Sequence, residues 1–338
     1  MATKIGKQTI KIDNKIAIVE TATVAGEKES KGPLKNYFDE ILNDSMCGEH
    51  SWEKAESKIV KKCLERLISK ANIKVSDIDF VISGDLLNQI TSSTFAVKDF
   101  KVPFFGIYGA CATCGEGLAL ASMLIDSGAA NKVITSASSH FCTAEKQFRA
   151  PLEQGGQRPP SATWTVTGAG TFLIEKKEEA EIFITYVTPG KIMDFEINDA
   201  YNMGAVMAPA AADTIINHLM DTDRTSDYYD LILTGDLGKV GVDILNEMTS
   251  KFGIDISSKV KDCGLMIFDI ETQDVDSGGS GPGCSAVTFA AYIYDEMKKK
   301  NYNKVLFVPT GAMLSTISTQ QGENIPAIAY AIAIERGV

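Results

Sequence analysis

What this chain lacks narrows its role before any motif is considered. No uninterrupted apolar run reaches the roughly 20 residues that a membrane helix needs. The nearest, Leu118 to Ile134, is broken by Asp126, Gly128, Asn131 and Lys132. The opening MATKIGKQTIKIDNK has no apolar core of a signal peptide. Positive charge is also short: 33 Lys and Arg against 44 Asp and Glu leave a net charge of -11. That balance gives no electrostatic grip on nucleic acid or on an anionic bilayer. Seven cysteines, an odd number without regular spacing, make no disulfide framework. The expected setting is reducing and intracellular, and any membrane association has to be borrowed from a partner.

What is present is enough for a sizeable core: 338 residues, 44% hydrophobic and 23% charged. The chain also repeats itself. SDIDFVISGDLL at Ser76 is echoed by SDYYDLILTGDLG at Ser226, and NKVITSAS at Asn131 by NKVLFVPTGA at Asn303. The two Gly-Asp-Leu triplets, at Gly84 and Gly235, lie 151 positions apart. Each copy has the same order. An amphipathic helix comes first, through Trp52, Ala55, Ile59, Cys63, Leu67 and Ala71 in one half and Ala212, Ile216 and Met220 in the other. Ser51 is placed to cap the first of these. A short, nearly all-apolar strand follows (Phe80 to Ser83; Leu231 to Thr234), then a Gly-Asp turn, more helix and a second buried strand. Alternating helices and doubly buried strands predict a layered α/β architecture, with halves at 1–175 and 176–338 related by a pseudo-twofold and stacked α/β/α/β/α. Loops are expected at Gly26 to Pro33, Gln154 to Ser161 and Asp276 to Gly283.

The chemistry-bearing candidates lie at strand ends. Cys111, in FFGIYGACATCGEG, sits where an apolar run gives way to a small-residue helix, which presents a thiol on a helix N-terminus. It reads either as a reactive thiol or as a small buried hydrophobe. With Cys114 it forms a CxxC pair, but Cys263 and Cys284 offer no second such pair, so no metal site is expected. Asp85 and Asn88 follow a buried strand, where α/β sheets place their sites; Asp85 reads equally well as a cap for the next element. Ser138, Ser139 and His140 also follow a buried strand and offer two hydroxyls and an imidazole to an anion. Arg149 and Arg158 flank a Pro/Gly-rich loop, as surface ion-pair residues or as a guanidinium fork for a carboxylate.

The repeat, DIDFVI before a turn, GACATCGEGLALASMLIDSG, ITSASS and VTGAGTFLI together resemble the thiolase superfamily, with the type III ketoacyl-carrier-protein synthases as its enzymes. The resemblance implies a five-layered α/β/α/β/α fold and places Cys111 at the nucleophile position. The resemblance implies two second-half groups in the enzymes, either two His or a His and an Asn. Here the loop after Leu231 to Thr234 reads GDLGKVG, and the later glycine-rich turn reads GSGPGCSA. Each missing donor removes ~3 kcal/mol of transition-state stabilisation. The three histidines, His50, His140 and His218, all lie elsewhere. Cys111 is therefore expected to be a vestigial nucleophile.

GKQT, GDLLNQ, SSH followed by TAEKQFR, GGQRP, MAPAAADTI, DCGLMI and GGSGPGCSA resemble the stage V sporulation protein AD family of the SpoVA group. That resemblance implies a non-enzymatic role in sporulation and germination: binding of dipicolinic acid (pyridine-2,6-dicarboxylate), alone or as its calcium chelate, with no other cofactor. The expected ligand-binding residues are Asp85, Asn88, Cys111, Ser138, Ser139, His140 and Arg149. The implied partners are integral membrane proteins of the same group, which would hold the chain peripherally at the spore inner membrane. A homodimer through the strand near Ser136 is implied as well. The alternatives are an active acyltransferase using Cys111 and a docking scaffold with no small-molecule ligand.

Overall fold

The computed structural model describes residues 2–148 and 158–337. Its frame is ten strands: β1 (Ile16–Ala25), β2 (Phe80–Gly84), β3 (Phe104–Gly106), β4 (Lys132–Ser139), β5 (Gly168–Lys176), β6 (Ile182–Pro189), β7 (Leu231–Thr234), β8 (Val260–Asp262), β9 (Lys304–Val308) and β10 (Ala327–Arg336). The first five pair in the order β1-β5-β4-β2-β3, and the second five in the matching order β6-β10-β9-β7-β8. Each half has two antiparallel junctions followed by two parallel ones. Even the register irregularity recurs, between Ile18 and Glu20 in β1 and between Ile184 and Tyr186 in β6. The two sheets join edge to edge through one residue pair, Ala17 with Phe183.

The helices that pack on this frame include α1 (Trp52–Lys70), α2 (Thr91–Val97), α3 (Thr113–Asp126), α4 (Phe141–Phe148), α5 (Met203–Thr222), α6 (Gly238–Lys251) and α7 (Pro282–Thr288). The chain continues past α7 through a π-helical turn, Phe289–Ile293. On the outside of the first sheet, Ile59, Cys63 and Leu67 of α1 meet Val81, Ile134 and Leu173. On the outside of the second, Ala211, Ile215 and Leu219 of α5 meet Ile232, Leu306 and Ala331. Between the sheets lie α3 and α7, where Leu118, Ile125, Val287 and Phe289 pack with Phe172, Ile174, Val305 and Phe307. The layering is therefore α/β/α/β/α, as the repeat implied.

The echoed sequences have a local cause. Asp79 Oδ2 accepts hydrogen bonds from the Asn131 and Lys132 amides at 2.7 and 2.9 Å, and Asp230 Oδ2 accepts them from the Asn303 and Lys304 amides at 2.7 and 3.0 Å. Each Asn-Lys-Val begins a central strand tied to the aspartate before its neighbour. The Ser51 cap is present, its hydroxyl accepting from the Lys54 amide at 3.4 Å.

Two expectations are corrected. Met220 is 65% exposed. The buried stripe of α5 instead runs through Ala208, Ala211, Ala212, Ile215 and Leu219, leaving Met220 on the helix flank. The Asp276 to Gly283 stretch is not wholly irregular, since Gly279 and Ser280 pair in parallel with Trp164 and Thr165 and α7 starts at Pro282. The strand holding Ser136 lies between β5 and β2 with its backbone paired on both sides. The edge of that sheet is β3. Among the described residues, no helix is long and apolar enough to cross a membrane.

Candidate functional site

The site is assembled where α3 begins. Ala110 takes a left-handed backbone, φ 49°, which is uncommon without a glycine and costs roughly 1–3 kcal/mol unless its surroundings hold it. They do. Thr113 Oγ1 donates to the Ala110 carbonyl at 2.7 Å and accepts from the Gly109 amide at 3.1 Å. From the second half, Gly311 lies so close that a Cβ there would stand 2.0 Å from the Gly109 oxygen and 3.1 Å from the Cys111 nitrogen. The turn delivers Cys111 to the floor of a cavity of ≈ 50 Å3, with Tyr108, Phe148, Thr165, Met207, Ser280 and Leu314 among its lining. Both halves build it, and among the described residues no Lys, Arg or His lines it.

Beneath this floor lies Asp236, fully buried. Its Oδ2 accepts from the Gly281 amide at 2.8 Å, while Oδ1 makes no well-formed hydrogen bond. The carboxyl neighbours the Cys111 thiol and Ser280, with Asp262 behind it. Gly281 has φ 94°, a conformation open to glycine, and a Cβ there would press on the Ser139 hydroxyl at 2.7 Å. Burial, opposed by contacts with Cys111 and the Gly281 amide, pushes Asp236 up to about 7. Burial, then the Asp236 charge, holds the Cys111 thiol well above the usual cysteine range. Cys111 keeps some exposed area because it faces the cavity, but protein surrounds its sulfur closely enough for desolvation to dominate.

Of the residues expected from sequence, Cys111 alone lines this cavity. Asp85 is buried and committed to backbone, accepting from the Leu87 amide at 2.9 Å and the Ser93 amide at 2.7 Å. Asn88 is exposed beside a neighbouring cleft with Ile90 and Ile107. Ser138 donates to Glu56 at 3.0 Å, and Thr143 donates to the other Glu56 oxygen at 2.7 Å. Burial, then the nearby Asp85 charge, raises Glu56 to about 8. Ser139 donates to the Val166 carbonyl at 2.6 Å and accepts from the Gly283 amide at 3.2 Å, bridging the halves at α7. His140 is buried, with Nε2 2.7 Å from the Ser45 carbonyl oxygen and Nδ1 accepting from the Cys142 amide; burial lowers its pKa. It lines a different and larger cavity of ≈ 570 Å3, with Lys28, Glu29 and Trp164. Arg149 lies outside the described residues. Arg158 donates to Glu145 at 2.9 Å and to the Thr163 carbonyl at 3.0 Å, with its guanidinium over Trp164.

The other histidines are engaged or remote. His218 is locked between Thr188 at 2.7 Å and the Tyr229 hydroxyl at 2.6 Å, and burial lowers it to about 3. His50 is exposed ahead of α1. No cluster of three or more His, Cys, Asp or Glu suited to a metal occurs among the described residues. Sequence reasoning missed Asp236, whose only signal was the second Gly-Asp-Leu triplet.

A thiol on a left-handed strand-to-helix turn, faced by loops from a second, symmetry-related half, defines the thiolase-like fold of condensing enzymes. The solved 3-oxoacyl-[acyl-carrier-protein] synthase III from Aquifex aeolicus VF5 matches 95% of this chain and 99% of its own, with a TM-score of 0.59 and 12% identity. An OleA variant from Xanthomonas campestris matches 96% and 99%, with a TM-score of 0.60 and 12% identity. At such identity these likenesses establish the fold alone. The sequence comparisons reach further. The family model for stage V sporulation protein AD (SpoVAD) matches residues 6–335. Over 331 residues, 98% of this chain and 97% of the relative, it is 43% identical to stage V sporulation protein AD of Bacillus subtilis (strain 168). The chain belongs to the SpoVAD family of sporulation proteins.

Proposed function

We propose that this chain binds dipicolinic acid without transforming it, for uptake into the developing spore and release during germination. Family membership supplies the sporulation context. The observation that carries the non-enzymatic reading is Asp236 beneath Cys111. Thiol chemistry needs a thiolate, which a nearby cation or imidazolium favours and a buried carboxyl opposes. Cys111 then serves as a neutral thiol on a cavity floor, and the position that holds a nucleophile in the enzymes becomes a recognition surface.

The cavity of ≈ 50 Å3 is well under the roughly 300–1,000 Å3 of ordinary ligand sites. Entry of a pyridine ring therefore requires lining side chains, Phe148 and Leu314 among them, to move apart. In this reading Arg149, next in the chain to Phe148, supplies the fork for one carboxylate, and the buried bonds of Asp85, Ser138 and Ser139 hold the surrounding turns, while Asn88 and His140 line other cavities. The ligand comes as the dianion or its calcium chelate, and integral membrane partners of the SpoVA group hold the protein at the spore inner membrane.

Calorimetric titration with pyridine-2,6-dicarboxylate, with and without calcium, tests the reading, using pyridine-2-carboxylate and Cys111→Ala as controls. Saturable binding, weaker for the monoacid and lost in the variant, is expected. A flat trace at every condition, or an acyl group found on Cys111 by mass spectrometry of the isolated protein, would overturn it.

A further inference from the structure

The buried carboxyl below the cavity has a consequence for anything anionic that enters above it. Asp236 is fully buried, one oxygen is held by the Gly281 amide, and the other is open beside the Cys111 thiol. The titratable groups facing it are few: Cys111 above, Asp262 behind, and the thiols of Cys263 and Cys284 alongside. Asp262 is itself occupied by Thr234 Oγ1 at 2.6 Å, the Leu237 amide at 2.8 Å and the Gly238 amide at 3.2 Å. The group facing Cys111 on the cavity side is Tyr108. Among the described residues, no cation stands beside Asp236 to balance its negative charge.

We propose that Asp236 is a positioning residue that sets the hydrogen-bond polarity of Cys111, so that a carboxylate ligand enters this cavity together with one proton. With Asp236 protonated, its open oxygen donates to the sulfur and the thiol hydrogen is free to donate upward to a carboxylate. With Asp236 ionised, the thiol hydrogen turns down to it, and the floor offers sulfur lone pairs above a buried negative charge. Burial brings this change near neutrality, since Asp236 is raised to about 7. The proposal rests on the reading of this cavity as the carboxylate site, and a ligand-free measurement separates the two.

The ligand-free arm is an infrared titration of the whole protein. Glu29 and Glu56 contribute protonated-carboxyl bands to both proteins, so the signal read is the wild-type minus Asp236→Asn difference band, which should disappear with a midpoint near pH 7. No such difference band at pH 5, meaning Asp236 already ionised there, would overturn the proposal, whatever the ligand data show. The ligand arm titrates pyridine-2,6-dicarboxylate between pH 6 and pH 9, where ordinary carboxyls, near 4, are ionised. Wild-type affinity should fall at least ~10-fold over that range, with uptake of about one proton above pH 8 read from two buffers of different ionisation enthalpy. Asp236→Asn should bind with a flat profile. A flat wild-type profile overturns the proton coupling and leaves the binding function standing. No binding at any pH, with the infrared midpoint in place, overturns the binding function and also refutes the carboxylate-entry claim.

Discussion

The two Gly-Asp-Leu turns use the same three residues for opposite purposes. In the first half both oxygens of Asp85 are taken by backbone, through the Leu87 and Ser93 amides, and its side chain holds the start of α2 in place. In the second half the equivalent backbone work falls to Asp262, which reaches over from the end of β8 to the Leu237 and Gly238 amides at the start of α6. Relieved of that duty, Asp236 keeps one open oxygen and faces Cys111. The lesson is that a duplicated turn becomes available for function once another residue takes over its structural bonds.

The largest effect expected from breaking this comparison is at Asp262. Asp262→Ala takes the side-chain acceptor from the Leu237, Gly238 and Leu265 amides, at roughly 1–3 kcal/mol for each buried one, while Thr234 Oγ1 keeps the Lys261 carbonyl, and it should cost ~3 kcal/mol or more. Thermal unfolding checks this, and a melting temperature within a degree of wild type would refute the division of labour. Asp85→Ala strands two amides and should cost ~2 kcal/mol or more, while Asp236→Asn, which strands none, should melt within roughly 0.5 kcal/mol of wild type or above it.

The next effect concerns pH. Glu56, ordinarily near 4.5, is raised to about 8 in the fold by burial and then by Asp85. A raised pKa means the folded state holds the proton more tightly. Its stability contribution is therefore present in full below pH ~4.5 and is lost as pH rises through 8. Glu29, raised to about 7 by burial, acts in the same direction. The melting temperature should fall between pH 6 and pH 9, and Glu56→Gln should flatten that fall. An equally steep fall in the variant would remove Glu56 from the account. The smallest effect is kinetic: Cys111 should alkylate slowly with iodoacetamide at pH 8, and several-fold faster in Asp236→Asn, where the opposing charge is gone. Equal rates would mean that burial alone holds the thiol up.

Much of the fold was legible because its repeats are bonded repeats. Asp79 and Asp230, with the two Asn-Lys-Val strand starts, appear in sequence because each pair must meet in space. The helix N-cap at Ser51 and the thiol at the start of α3 follow from local patterns of the same kind. The site was less legible because its parts meet across the halves. Spacing alone does not tell which way a side chain leaves a turn, so Ser138, Ser139 and His140 were grouped with Cys111 although each is bonded in a different direction. Likewise the freedom of Asp236 depends on Asp262, 26 residues later on a neighbouring strand, and no local pattern carries that.

Ala110 joins two properties that are usually separate. Its backbone is held left-handed, and its methyl group forms part of the cavity wall beside the thiol. Glycine would adopt that backbone freely, but it would also remove a methyl from a space of ≈ 50 Å3. The strained residue therefore acts as a gauge: one carbon atom, held in a conformation it does not favour, sets how large an occupant the floor of this cavity admits.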